Sequence, residues 1–99
     1  MADRKKVKAD VVTVLDILSP LDLAKMTDDG VELVKINFTS GFDGSMKKAL
    51  CVPFAKIARR HGGTKSRVIS QTETAALRTI KGAIDLTVAA ADGLTFDGE

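Results

Sequence analysis

Between Met46 and Arg67 the chain carries Lys47, Lys48, Lys56, Arg59, Arg60, Lys65 and Arg67 and not one carboxylate. Like charges at that density repel one another. A compact fold must therefore relieve them with solvent, with carboxylates from elsewhere in the chain, or with an anionic partner. The remaining charges are segregated as well. Residues 1–8 carry Arg4, Lys5, Lys6 and Lys8 against Asp3. Residues 9–45 carry Asp10, Asp16, Asp22, Asp28, Asp29, Glu32 and Asp43 against Lys25 and Lys35. Residues 68–99 carry Glu73, Asp85, Asp92, Asp97 and Glu99 against Arg78 and Lys81. A net charge of +2 thus conceals blocks of +3, −5, +7 and −3. Two readings of the +7 block follow. It is a solvated face that folds beside Asp28, Asp29 and Glu32, or it is a contact surface for a polyanion. Nucleic-acid backbones are the commonest such partner, because each neutralised phosphate releases condensed counterions.

The 99 residues and 44% hydrophobic content allow one domain with a core of its own. A lone cysteine, Cys51, rules out an intrachain disulfide, and one cysteine with one histidine is too few for the usual zinc sites. Cys51 reads as a small buried hydrophobe. The basic start is followed by Asp10, Thr13 and Asp16, which interrupt any apolar signal region. No apolar run approaches the ~20 residues of a membrane span. Cytoplasmic location and no membrane are the expectations. Neither paired carboxylates nor a calcium-loop pattern occurs. His61 has no orienting carboxylate near it in sequence, so no catalytic residue, metal or cofactor is assigned.

The pattern of apolar residues predicts an α+β fold. Residues 1–8 read as a flexible basic arm, 9–93 as a single globular domain and 94–99 as an acidic tail. In DVVTVLDIL, residues 10–18, Val11, Val14, Leu15 and Leu18 suit a helix, but the β-branched run tips the segment towards a strand. Ser19-Pro20 starts a helix that Asp28-Asp29-Gly30 would stop. Alternation in residues 31–39 predicts a strand, paired across the loop 40–45 with a second strand over 46–52, a central β-hairpin. Pro53 then ends that strand or opens a helix that Gly62-Gly63 stops. A long C-terminal helix over about 72–91 follows, capped by Thr72 or Ser70.

Residues 54–70, FAKIARRHGGTKSRVIS, carry the most specific pattern. Ile57, Ala58, Gly62 and Val68 fall where the helix-turn-helix motif places an aliphatic residue, a small alanine, the turn glycine and a recognition-helix anchor. The segment resembles that DNA-binding family, although His61, Gly63 and Gln71 stand where the motif has apolar residues. The resemblance implies a recognition helix opening after Gly62. Thr64 would be its cap facing a phosphate, Lys65 a backbone contact and Arg67 a reader of guanine. Gly62-Gly63-Thr64-Lys65-Ser66 lacks the spacing of a phosphate-binding P-loop and reads as a helix stop.

Together these features predict a small nucleic-acid-binding protein acting on double-stranded DNA as a homo-oligomer. Lys47, Lys48, Lys56, Arg59, Arg60, Thr64, Lys65 and Arg67 form the candidate interface. Neutralising about five phosphates would give a log K against log salt slope near −4.5. With four phenylalanines and no Trp or Tyr, the chain lacks the stacking platforms of single-strand binders. Two alternatives stand beside this prediction. One is a phage or virion assembly protein joined by its opposed charged patches. The other is an inhibitor or adaptor that presents Phe42 to a protein partner.

Overall fold

The computed structural model describes residues 2–18, 28–33 and 44–96, and every regular element among them is helical. Among the described residues the expected α+β architecture is therefore replaced by a helical one. The first helix, α1, spans Arg4–Leu18. Asp3 caps it, its Oδ1 accepting the Lys5 N–H at 3.0 Å. Val7, Val11 and Leu15 recur every four residues, and all three are fully buried. Burying that face outweighs the few tenths of a kcal/mol by which each β-branched residue disfavours a helix. The segment 10–18 is accordingly helix, not strand. Residues 4–8, read as an arm, are its first turns.

The next described helix, α2 (Asp28–Leu33), contains the Asp28-Asp29-Gly30 triplet that was expected to stop one. Residues 20–27, the remainder of the 31–39 strand beyond Leu33, and Phe42 lie outside the described residues. The expected second strand over 46–52 is also absent. Its residues belong to α3 (Gly44–Ala49) and to the start of α4 (Cys51–Gly62). Met46, Leu50 and Phe54 satisfy a four-residue spacing as well as an alternating one. The apolar face continues through Ile57 and Ala58 at helical intervals, and that continuation selects the helix. Pro53 has no N–H to return to Ala49, and the helical run breaks just before it, at Leu50. Thr74, fully buried, donates its hydroxyl to the carbonyl of Lys48 near that break.

The C-terminal helix is two helices. Ser70 and Glu73 form a capping box that starts α5 (Gln71–Ala75). The chain then turns, buries Leu77, and restarts at α6 (Ile80–Ala91), where the Thr79 hydroxyl accepts the Gly82 N–H at 3.1 Å. The sixth helix is the axis of the fold. It packs against α1, α2 and α4, and Ile80, Ala83, Ile84, Leu86, Ala90 and Ala91 are buried along it. Its small residues permit close approach. A Cβ on Gly62 would collide with the backbone of Ala91, coming within 2.8 Å of its Cα. Gly93, at φ +71°, ends α6 in a Schellman motif. Leu94 N–H reaches Ala89 C=O at 2.8 Å and Gly93 N–H reaches Ala90 C=O at 3.1 Å. Phe96 packs, half-buried, on the core.

Candidate functional site

The cationic block 46–67 occupies α3, α4 and the single 3₁₀ turn, Gly63–Lys65, that follows. No recognition helix opens after Gly62. The backbone is extended at Ser66 and Ser70, and Val68, the expected anchor, is 83% exposed. The cause is tertiary. Arg67 N–H bonds the carbonyl of Ala90 at 2.9 Å, and Ser70 must reach the start of α5, so the chain between them is pulled straight. The helix-turn-helix pattern is present in the sequence without its geometry.

The fold divides the predicted interface into engaged and free cations. Arg67 is engaged throughout. Its Nη1 and Nη2 meet the two carboxylate oxygens of Glu73 at 2.9 and 2.8 Å, while Nε donates to Leu94 C=O at 2.6 Å and Nη1 also to Val68 C=O at 3.0 Å. The bidentate hydrogen bond from Arg67 holds the Glu73 carboxyl below its ordinary value, against the opposing effect of burial. The same bond raises the already high pKa of Arg67. Arg60 and His61 converge on Asp10 of α1, with Arg60 Nη1 at 3.3 Å and His61 Nε2 at 2.6 Å from its Oδ2. Lys47 is 8% exposed. Of the eight predicted contact residues, these three cations are bound within the chain or covered by it.

Lys48, Lys56, Arg59, Thr64 and Lys65 are exposed, and none of the four cations among them has a carboxylate partner among the described residues. Lys56 and Arg59 are three residues apart and share the outer face of α4. Thr64 and Lys65 continue from the end of that helix. Arg59, Arg60 and His61 occupy its last turn, where positive charge offsets the helix dipole.

Between α4 and the extended segment lies a depression of about 550 Å³ lined by Ala55, Arg59, Gly63, Thr64, Ser66, Arg67 and Val68. The Ser66 hydroxyl is occupied, donating to Gly63 C=O at 2.7 Å. Space above Gly63 is open, with no atom within 4 Å of where a Cβ would project. A second concavity of about 400 Å³, formed by Val14, Ile17, Met46, Ala49, Leu50 and Pro53, is apolar and offers no polar chemistry.

The basic start of the chain is structural too. Arg4 meets Glu32 at 2.7 Å and Asp85 at 3.2 Å, and Lys8 lies 4.0 Å from Glu32, so the residues read as an arm tie α1 to α2 and α6. Burial works against the Arg4 charge, but its hydrogen bonds to Glu32 and Asp85 win, and the net effect raises its pKa. Sequence reasoning missed Asp10 and Glu73 as the quenching groups. Asp10 is 51 residues from His61, a separation that leaves no local signal. Glu73 was legible only as a helix-starting residue, through Ser70-x-x-Glu73. Among the described residues no helix is long and apolar enough to cross a membrane. No protein-family model matches the chain, and neither a curated protein nor a solved structure matches it.

Proposed function

We propose that the protein binds the backbone of a nucleic acid through Lys48, Lys56, Arg59 and Lys65, with Thr64 beside them. The observation that carries this reading is the exposure of these four cations, which have no carboxylate partner among the described residues, while Glu73 neutralises Arg67 and Asp10 holds one edge of the still exposed Arg60. One feature favours a duplex over a single strand. Phe54 is fully buried and Phe96 packs on the core, so no aromatic side chain among the described residues offers a stacking platform. Backbone-dominated binding to a regular phosphate array needs none.

The reduced set of cations changes the expected strength. Neutralising about four phosphates gives a log K against log salt slope near −3.6. A gel-shift titration of duplex DNA across salt, with the native protein and the triple variant Lys56→Ala/Arg59→Ala/Lys65→Ala, tests the proposal. A shift that the triple variant loses supports it. No shift at low salt removes it. Head-to-tail assembly through opposed charges draws less support, because Arg4, Arg60 and Arg67 find their acidic partners within the same chain.

A further inference from the structure

The depression beside α4 has a chemistry that a diffuse cationic face lacks, and we infer that it seats a single nucleotide unit, the phosphate on Arg59 and Thr64 and the base over Val68. The inference goes beyond the proposed duplex binding: it uses the same cationic face, but the base it seats is an unpaired one, as in a free mononucleotide. At about 550 Å³ the depression falls within the size range of small-molecule sites.

Its lining is of two kinds. Arg59 brings a guanidinium with no carboxylate partner among the described residues, and the exposed Thr64 hydroxyl makes no hydrogen bond among them. A phosphate presents acceptor oxygens in several directions and can take both donors at once. Arg67 does not supply charge here, because Glu73 neutralises it. It holds the wall of the depression in place. The carbonyl end of α4 would repel an anion, but the Gly63 N–H is bonded back to Arg59 C=O, and the basic last turn offsets the dipole.

Ala55 and the 83%-exposed Val68 add apolar surface to the same lining. A flat base covers such a surface and a phosphate alone does not. Gly63, also in the lining, leaves its backbone open to close approach.

The test is an amide-resolved NMR titration of the whole chain with inorganic phosphate, adenosine and adenosine monophosphate. Adenosine monophosphate should shift the Gly63, Thr64 and Val68 amides saturably. Phosphate should move Thr64 without Val68, and adenosine should bind far more weakly. Arg59→Gln should cost at least about tenfold in affinity for the mononucleotide. Val68→Ala should weaken the mononucleotide but not phosphate. Absence of saturable shifts at these amides, equal binding of adenosine, or an Arg59→Gln variant of native affinity would overturn the inference. A duplex that shifts in gels while the mononucleotide leaves these amides unmoved removes the nucleotide seat alone. A seated mononucleotide without any duplex shift removes the duplex reading alone.

Discussion

At the scale of single residues, Arg67 shows how far a side chain's role depends on what the fold brings to it. Read locally, it is one cation in an acid-free block and a candidate for reading a base. In the structure its guanidinium joins the extended segment, the cap of α5 and the carbonyl of Leu94. Its carboxylate partner, Glu73, is held below its ordinary pKa of 4.5. A depressed carboxylate pKa adds stability that is fully present above that ordinary value and is lost as pH falls through the lowered one. Glu73→Gln should therefore unfold at lower urea than the native chain at neutral pH, by about 1–2 kcal/mol. The gap between the two should close as the pH is taken below 4.5. A gap independent of pH would assign the effect to packing. Gly62 makes the opposite point, since its role is one of space and not of charge. Because a Cβ there meets the backbone of Ala91, Gly62→Ala must push α4 off α6. Denaturant unfolding should show a loss of about 3 kcal/mol.

At the scale of elements, the caps decide where the C-terminal helices start. The stretch from 70 to 91 contains two start signals, Ser70 with Glu73 and Thr79 with the Gly82 N–H. The chain uses both, and burial of Leu77 between them holds the turn. Ser70→Ala and Thr79→Ala should each destabilise by about 1 kcal/mol. In a domain of this size that lowers the melting temperature by roughly 4–8 °C, measurable by calorimetry. The hairpin expectation failed for a related reason. Met46, Leu50 and Val52 alternate, yet Met46, Leu50 and Phe54 also repeat every four residues. Over a short window the two periods cannot be told apart. The helical one won because it extends through Ile57 and Ala58 into a face that α6 covers.

At the scale of the whole molecule, the charge blocks are matched against one another. The basic N-terminus pairs with Glu32 and Asp85, the block 46–67 with Asp10 and Glu73. These pairs link α1 to α2, α4 and α6 and leave a smaller cationic face exposed. Removing one quencher should enlarge that face. Asp10→Asn releases Arg60. Duplex affinity should rise, with the salt slope steepening by about 0.9 for each additional phosphate contacted. The same substitution loses the α1–α4 link, so a modest fall in thermal stability should accompany the gain. An unchanged slope would mean that Arg60 lies off the binding face.

Composition and local pattern were sufficient for the helical course of 54–62 with its stop at Gly62-Gly63, for Ser70 as a cap and for Gly93 as a terminator. Each rests on short-range chemistry: steric freedom at glycine, a hydroxyl within reach of free N–H groups, apolar side chains one turn apart. The choice of helix over strand in 10–18 and 46–52, and the separation of free from neutralised cations, depended on contacts between residues far apart in the chain. Burial against α6 and the approach of Asp10 to His61 are products of the assembled core, and no window of neighbouring residues encodes them.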